Sequence, residues 1–407
     1  MKITAINIYT VKIPVVFGEE KIKHQQSPLV KYIGEDYYLL NDTLGVVYSS
    51  NRETLLVKIE TDDGVFGWGE SLAPTNPEFC AKLISDVFGP LLLGEDPFDN
   101  QRLYEKMYNM YRVRGIASGF TMDAMAALDM AFWDIKGKAV NLPVFKLLGG
   151  KTGETIPYYL SALVGETDEQ RLSYIEDQMK KGMNAFKLHT IGKSWQKHAD
   201  FLKILREKYD PEQLELMHDG HWRYSISEAT LLGTKLDELS ISFFECPLCP
   251  ELLSAHATLA GKIRTPLAVG ESMRTCYDFA PWVSSMILGV AQPDIGRTGI
   301  TEFMNIANLC NTFGVPIAPH LSTHQAVGLA ASLNVSFAIS NFFKFEYQPV
   351  SLEAAQKYAD LNFSVNNDGT FSIFDVPGLG MAIDEDRLKQ YVSVTCLIND
   401  KGTTYGV

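Results

Sequence analysis

Residues 184–220 read NAFKLHTIGKSWQKHADFLKILREKYDPEQLELMHDG. Two short apolar runs, NAFKLHT (184–190) and LELMHDG (214–220), flank KHADFLKILREKY (197–209), which has the amphipathic pattern of a helix. Strand, helix and strand in so few residues is the unit of a parallel sheet. The first strand carries an anomaly. Lys187 and His189 interrupt Ala185, Phe186 and Leu188 at a spacing of two, which puts both polar side chains on one face.

The same alternation extends in both directions. TIPYYLSAL (155–163) precedes it, and ISFFECP (241–247), TPLAVGE (265–271), VAQPD (290–294), VPIAPH (315–320) and FFKFEY (342–347) follow, with amphipathic helices between them. Eight strand-like segments with helical returns are the signature of a parallel (β/α) barrel. Seven of the segments finish in an ionisable residue: Lys187, Asp219, Glu245, Glu271, Asp294, His320 and Glu346. Each lies about one strand–helix repeat from the next, so all seven fall on the C-terminal rim, where barrel active sites sit. Asp219, Glu245 and Glu271 are consecutive. Three carboxylates converging on one point raise one another's pKa, and a divalent cation resolves the conflict. All-oxygen ligation suits Mg²⁺, with Mn²⁺ as a substitute. Asp294 and His320 end adjacent strands, so the acid can orient the imidazole and stabilise its cation. Lys187 and His189 sit across the mouth from this pair.

Before the barrel the chain reads differently. TLLVKIE (54–60) and VFGWGE (65–70) flank TDDG, a hairpin signal. TMDAMAALDMAFWDIKGKAV (121–140) is apolar on most sides and predicts a buried helix. The segment 17–50 is long, Tyr-rich and irregular, the character of a lid. From about Phe363 the sequence returns to β-type and turn-rich character.

At 407 residues the chain exceeds what one core serves, roughly 250–300 residues. Its net charge of -13 argues against a nucleic-acid partner. No apolar run reaches the ~18 residues of a membrane span, and the N-terminus lacks a signal-peptide pattern, so a cytoplasmic protein is expected. Cys246 and Cys249 have C-x-x-C spacing without a second pair, which favours idle thiols over zinc or redox chemistry.

Taken together, DDGVFGWGE (62–70), ALDMAFWDIKGKAVNLPVFKLLGG (127–150), the three acidic strand ends, the Asp294/His320 pair and PGLGMAID (377–384) resemble the enolase superfamily, in its mandelate racemase and acid-sugar dehydratase branch. The resemblance covers nearly the whole chain. It implies a modified TIM barrel, (β/α)7β, over about 129–362, and an α+β capping domain built from 1–128 and the C-terminal segment 363–407. It also implies removal of the proton α to a carboxylate, giving an enediolate held by Mg²⁺. Asp219, Glu245 and Glu271 match the metal ligands, Asp294 and His320 the His–Asp dyad, and Glu346 the residue that contacts the substrate carboxylate. Relatives commonly assemble through the capping domain, so a homo-oligomer is expected.

Two positions depart from the branch. Where Lys-x-Lys is usual, this chain has Lys187-Leu188-His189, which puts His189 in the base position and leaves Lys187 to touch the substrate or tune its neighbour. An imidazole, with a reference pKa near 6.5, works as acid or base near neutrality; alternatively His189 only hydrogen-bonds the substrate. His221 stands where many relatives have Asn, as in galactonate dehydratases that use a histidine as acid on the leaving hydroxyl. His324 reads as a structural residue at the start of the next helix. The expected function is β-elimination of water from a sugar acid, giving a 2-keto-3-deoxy acid. The alternatives are a racemase, epimerase or cycloisomerase on the same fold, or a barrel that binds without catalysis.

Overall fold

Tyr159, Ala185, Met217, Phe243, Ala268, Val290 and Ala318 form one buried cluster, with Phe343 packed against it. Each comes from a different strand-like segment, and together they plug the middle of a barrel. Because successive side chains alternate between the two faces of a strand, the residue two positions further along points into the same interior, one layer nearer the rim. That layer holds Ser161, Lys187, Asp219, Glu245, Gln292 and His320.

The structure, a computed structural model, describes residues 1–14, 30–33, 38–41, 45–161, 163–165, 167–189 and 194–406. Strands Ile156–Ser161, Ala185–His189, Glu215–Asp219, Phe244–Glu245, Leu267–Val269 and Val290–Ala291 pair in parallel, in that order. Single bridges carry the ring onward from Ala291 to Ile317 and from Ile317 to Phe342. Phe345–Tyr347 then pairs in parallel with Ile156–Ser161, completing the circuit. A helix fills each of the seven returns between the eight strands, which is the (β/α)7β arrangement, and the short helix Pro349–Gln356 follows the eighth. Three of these helices, beginning at Asp168, Ile226 and Cys276, start with reciprocal capping boxes from Thr167/Gln170, Ser225/Glu228 and Thr275/Asp278. Those caps satisfy the free N–H groups that follow the rim loops.

The N-terminal sheet is antiparallel. Its order is Gly402–Gly406, Val392–Asn399, Ile3–Pro14, Asn51–Thr61, Phe66–Ser71, so the C-terminal strands return to it. Not all of the tail does so. Phe363–Val365 and Thr370–Ile373 form a hairpin that pairs with the first barrel strand instead. The segment 17–50, expected to be irregular, contains a three-stranded antiparallel sheet of Val30–Ile33, Tyr38–Asn41 and Val46–Ser49. Aromatic and β-branched residues between turn residues account for those strands. Most of the rest of the expected lid, Tyr37 included, lies outside the described residues.

The helix Phe120–Ala139 joins the two halves and is buried on nearly every side. Its three aspartates are buried yet partnered. Asp123 receives both Nε (2.9 Å) and Nη2 (3.1 Å) of Arg274, and Asp129 receives the Thr301 N–H (2.8 Å). Asp134 receives the N–H groups of Trp68 and Leu379, each at 2.9 Å. The expected domain boundary at 128/129 therefore falls inside a helix that serves both halves. Gly67 and Gly69 let the sheet meet it: a Cβ at Gly69 would lie 1.7 Å from the Ala127 carbonyl oxygen. No helix among the described residues is long and apolar enough to cross a membrane.

Candidate active site

Lys187 explains the first anomaly. Its side chain is 1% exposed, and its ammonium donates at 2.8 Å both to Glu245 Oε2 and to Glu346 Oε1. Burial works against the charge, but Glu245 and Glu346 more than compensate and hold the lysine well above its ordinary pKa. Glu346 is likewise buried, and its second oxygen accepts the Leu321 N–H at 2.9 Å.

His189, two residues on, points the same way. Its Nδ1 lies 3.0 Å from Asp219 Oδ2 and its Nε2 2.9 Å from Ser161 Oγ. A carboxylate only accepts, so Nδ1 carries a proton, and Nε2 faces a hydroxyl that can donate or accept. His221 follows Asp219 through a left-handed turn (φ 51° at His221, 61° at Trp222). Its backbone N–H donates to Asp219 Oδ1 (2.8 Å), and its Nε2 is 3.4 Å from the Tyr48 hydroxyl. His218 faces the other way, its ring packed near those of His198 and Phe244.

Across the mouth, His320 Nδ1 is 2.6 Å from Asp294 Oδ2, and its Nε2 is 3.1 Å from Glu271 Oε2. Burial alone would lower the pKa of His320; Asp294 and Glu271 reverse this and favour the cation. Glu271 is held at about 2: burial opposes its charge, and the His320 hydrogen bond and charge outweigh it. Glu271 also accepts from the Trp222 indole N–H.

The three expected ligand carboxylates are partly brought together. Donor atoms of Glu245, Cys246 and Glu271 lie within 4.8 Å of one another, as do those of His189, Asp219 and His221. Asp219 thus groups with two imidazoles, and Glu245 and Glu271 with the Cys246 thiol. Glu245 is pushed up to about 8, chiefly by burial, and its Oε1 is buried with no hydrogen-bond partner among the described residues. An orphaned oxygen among hard oxygen donors fits a divalent cation of the Mg²⁺ type. The thiols of Cys246 and Cys249 are free.

Four residues at the site were not singled out from sequence as members of it. Ser161 and Gln292 were legible in principle, since both lie two positions beyond a barrel-plug residue. Gln292 Nε2 donates to Glu245 Oε2 at 2.8 Å. Trp222 gave no signal. His324, read as structural, donates from Nε2 to Asp294 Oδ1 at 2.6 Å. A cavity of about 270 Å³ adjoins the site, bordered by Tyr48, His189, His221, Arg171 and Lys197 among others.

Comparison with known proteins agrees with this geometry. Residues 172–387 match the family described as enolase C-terminal domain-like, and residues 44–149 match the mandelate racemase / muconate lactonizing enzyme N-terminal domain. A D-galactonate dehydratase of Klebsiella pneumoniae is 31% identical over 82% of this chain and 90% of its own. A D-galactarolactone cycloisomerase of Agrobacterium fabrum is 29% identical over 84% and 91%. Among solved structures, an enolase-superfamily member from Agrobacterium tumefaciens superposes with a TM-score of 0.88 at 28% identity, covering 95% of this chain and 98% of the other. The 3,6-anhydro-D-galactonate cycloisomerase of Zobellia galactanivorans gives 0.81 at 26% identity, covering 97% and 100%.

Proposed function

The chain belongs to the enolase superfamily, in its mandelate racemase and muconate lactonizing enzyme branch, and is an enzyme; from that premise we propose that it dehydrates a sugar acid to a 2-keto-3-deoxy acid. The observation that carries the proposal is the pair of imidazoles beside separate carboxylates: His320 Nδ1 2.6 Å from Asp294, and His221 Nδ1 3.9 Å from Asp219. Elimination needs a base at C2 and an acid at the C3 hydroxyl, and two histidines beside separate carboxylates supply both.

Asp294 keeps the proton on His320 Nδ1; Nε2, which donates to Glu271 Oε2 in the resting site, carries the lone pair on the rim side once its own proton has left. That nitrogen takes the C2 proton, and the C2–H electron pair moves toward the carboxylate. The C3–O bond then breaks as His221 gives its proton to the departing hydroxyl, which leaves as water. The resulting enol tautomerises to the keto acid. His189 already engages Asp219 and Ser161 with its two nitrogens, which suits a hydrogen-bonding role better than proton abstraction. Lys187 acts as a fixed cation between Glu245 and Glu346. Asp219, Glu245 and Glu271 would hold Mg²⁺, or Mn²⁺ in its place, to neutralise charge that develops on the substrate carboxylate.

A second reading, cycloisomerisation of a lactone or anhydro acid, is favoured by the likeness to the two cycloisomerases. Incubating the enzyme with Mg²⁺ and a library of mono- and diacid sugars in D₂O separates the two. Keto-acid formation supports dehydration. Deuterium at C2 without keto acid replaces it with isomerisation, and no reaction with any acid sugar removes both.

A further inference from the structure

Asp294 holds two imidazoles, and only one of them is used above. Its Oδ2 meets His320 Nδ1 at 2.6 Å; its Oδ1 meets His324 Nε2 at 2.6 Å and the Gly296 N–H at 2.9 Å. Asp294 and His324 are both fully buried. A carboxylate accepts only, so both facing ring nitrogens donate. His324 Nδ1 has no partner among the described residues. With the proton on Nε2 this leaves a lone pair unmatched, whereas the cation would bury an N–H with no acceptor, the costlier outcome. Burial lowers the pKa of this ring but Asp294 raises it further, and in either protonation state Nε2 donates to Asp294.

Its ring has nowhere else to go. A Cβ at Gly296 would lie 2.1 Å from His324 Cε1, and one at Gly328 would lie 2.5 Å from His324 Nδ1. The turn that carries the ring is pinned from the N-terminal sheet: buried Glu70 accepts Gln325 N–H at 2.7 Å and Gly328 N–H at 2.8 Å.

We infer that His324 is a positioning residue for the base: by occupying Oδ1 it fixes the carboxylate plane of Asp294, so that Oδ2 stays aligned on His320 Nδ1. Without that donor only the Gly296 N–H holds Oδ1, so the carboxylate plane loosens and His320 loses its orientation. The role rests on the dehydration reading only for its kinetic consequence.

The test uses His324→Phe, which fills the space without a donor, and His324→Gln, whose amide nitrogen reaches the place of Nε2. In the resting enzyme with ¹⁵N-labelled histidine, the wild type should show two ring protons bonded to Asp294, one from His320 and one from His324, apart from the His189 proton on Asp219. His324→Phe should lose one and shift or broaden that of His320, and His324→Gln should restore the His320 signal. On the substrate found by the library screen, kcat of His324→Phe should fall about 10- to 100-fold with KM within about two-fold, as misplacement of a supporting group does. His324→Gln should regain most of kcat. A folded Phe variant with unchanged His320 signal overturns the inference, as does a folded Gln variant that restores neither readout. If the wild type turns over no sugar acid, the dehydration reading fails, while the resonance measurement still decides the role of His324.

Discussion

Replacing Lys187 by Met measures how far the barrel mouth depends on one buried cation. The ammonium sits 2.8 Å from oxygens of both Glu245 and Glu346. At an effective dielectric of about 20, each pair at that distance is worth roughly 6 kcal/mol before desolvation is charged against it. Loss of one partner from a buried pair typically costs about 3–5 kcal/mol, because an uncompensated charge stays behind. Glu245 keeps its bond from Gln292 and Glu346 its bond from Leu321, so the lower half of that range, about 3–4 kcal/mol, applies. Urea titration in the presence of a chelator reads this out as a lower midpoint at unchanged slope. Glu245, already pushed up to about 8 by burial, takes up a proton when Lys187 is lost, so adding Glu346→Gln to Lys187→Met removes the charge left stranded and should recover at least half the loss. Two results refute the reasoning: a single variant that loses under about 1 kcal/mol, or a double variant no better than the single, since close charges must couple.

His320→Asn should lower kcat at least about 10²-fold with the urea midpoint little changed; near-normal turnover removes the dyad from the mechanism. His189→Gln should leave C2 deuterium exchange close to the wild-type rate while raising KM, and loss of exchange would make His189 the base on that face. Asp129 gives a pH dependence of stability. Burial raises its pKa to about 6 in the fold, so between the reference value of 3.8 and 6 the folded chain keeps a proton that the unfolded chain gives up. Its contribution is full below that window and is lost as pH rises through it, about 3 kcal/mol in all. Asp129→Asn should therefore flatten the pH slope of urea stability relative to wild type between pH 4 and 7; identical slopes would contradict the assignment.

The rim was legible in the sequence because a barrel repeats. Once Asp219, Glu245 and Glu271 recur one repeat apart, parallel strands carry them to one edge. What period-two alternation adds inside each strand was less visible, and Gln292 shows why: it lies two residues short of Asp294, which drew attention as the charged end. His324 was missed for a different reason. Its partner comes from a neighbouring strand and its ring is held by two glycines, and neither relation leaves a local pattern. Lys187 was placed correctly on the inner face, yet its engagement with two acids follows only from the closure of the eighth strand beside the first. The three strands within 17–50 escaped because each is only four residues long and separated by turn residues.

The interior position of Val392–Asn399 in the N-terminal sheet has a consequence for how the chain is made. This strand is the direct partner of Ile3–Pro14, from which some 380 residues separate it. At roughly 5–20 residues per second, synthesis leaves the first strand waiting on the order of tens of seconds for its neighbour. Through that interval one edge of Ile3–Pro14 has its ladder groups unpaired and its apolar face without part of its cover, the condition under which nascent strands find the wrong partner. The barrel can close while the ribosome is still working, but the sheet that caps it is finished only at the end.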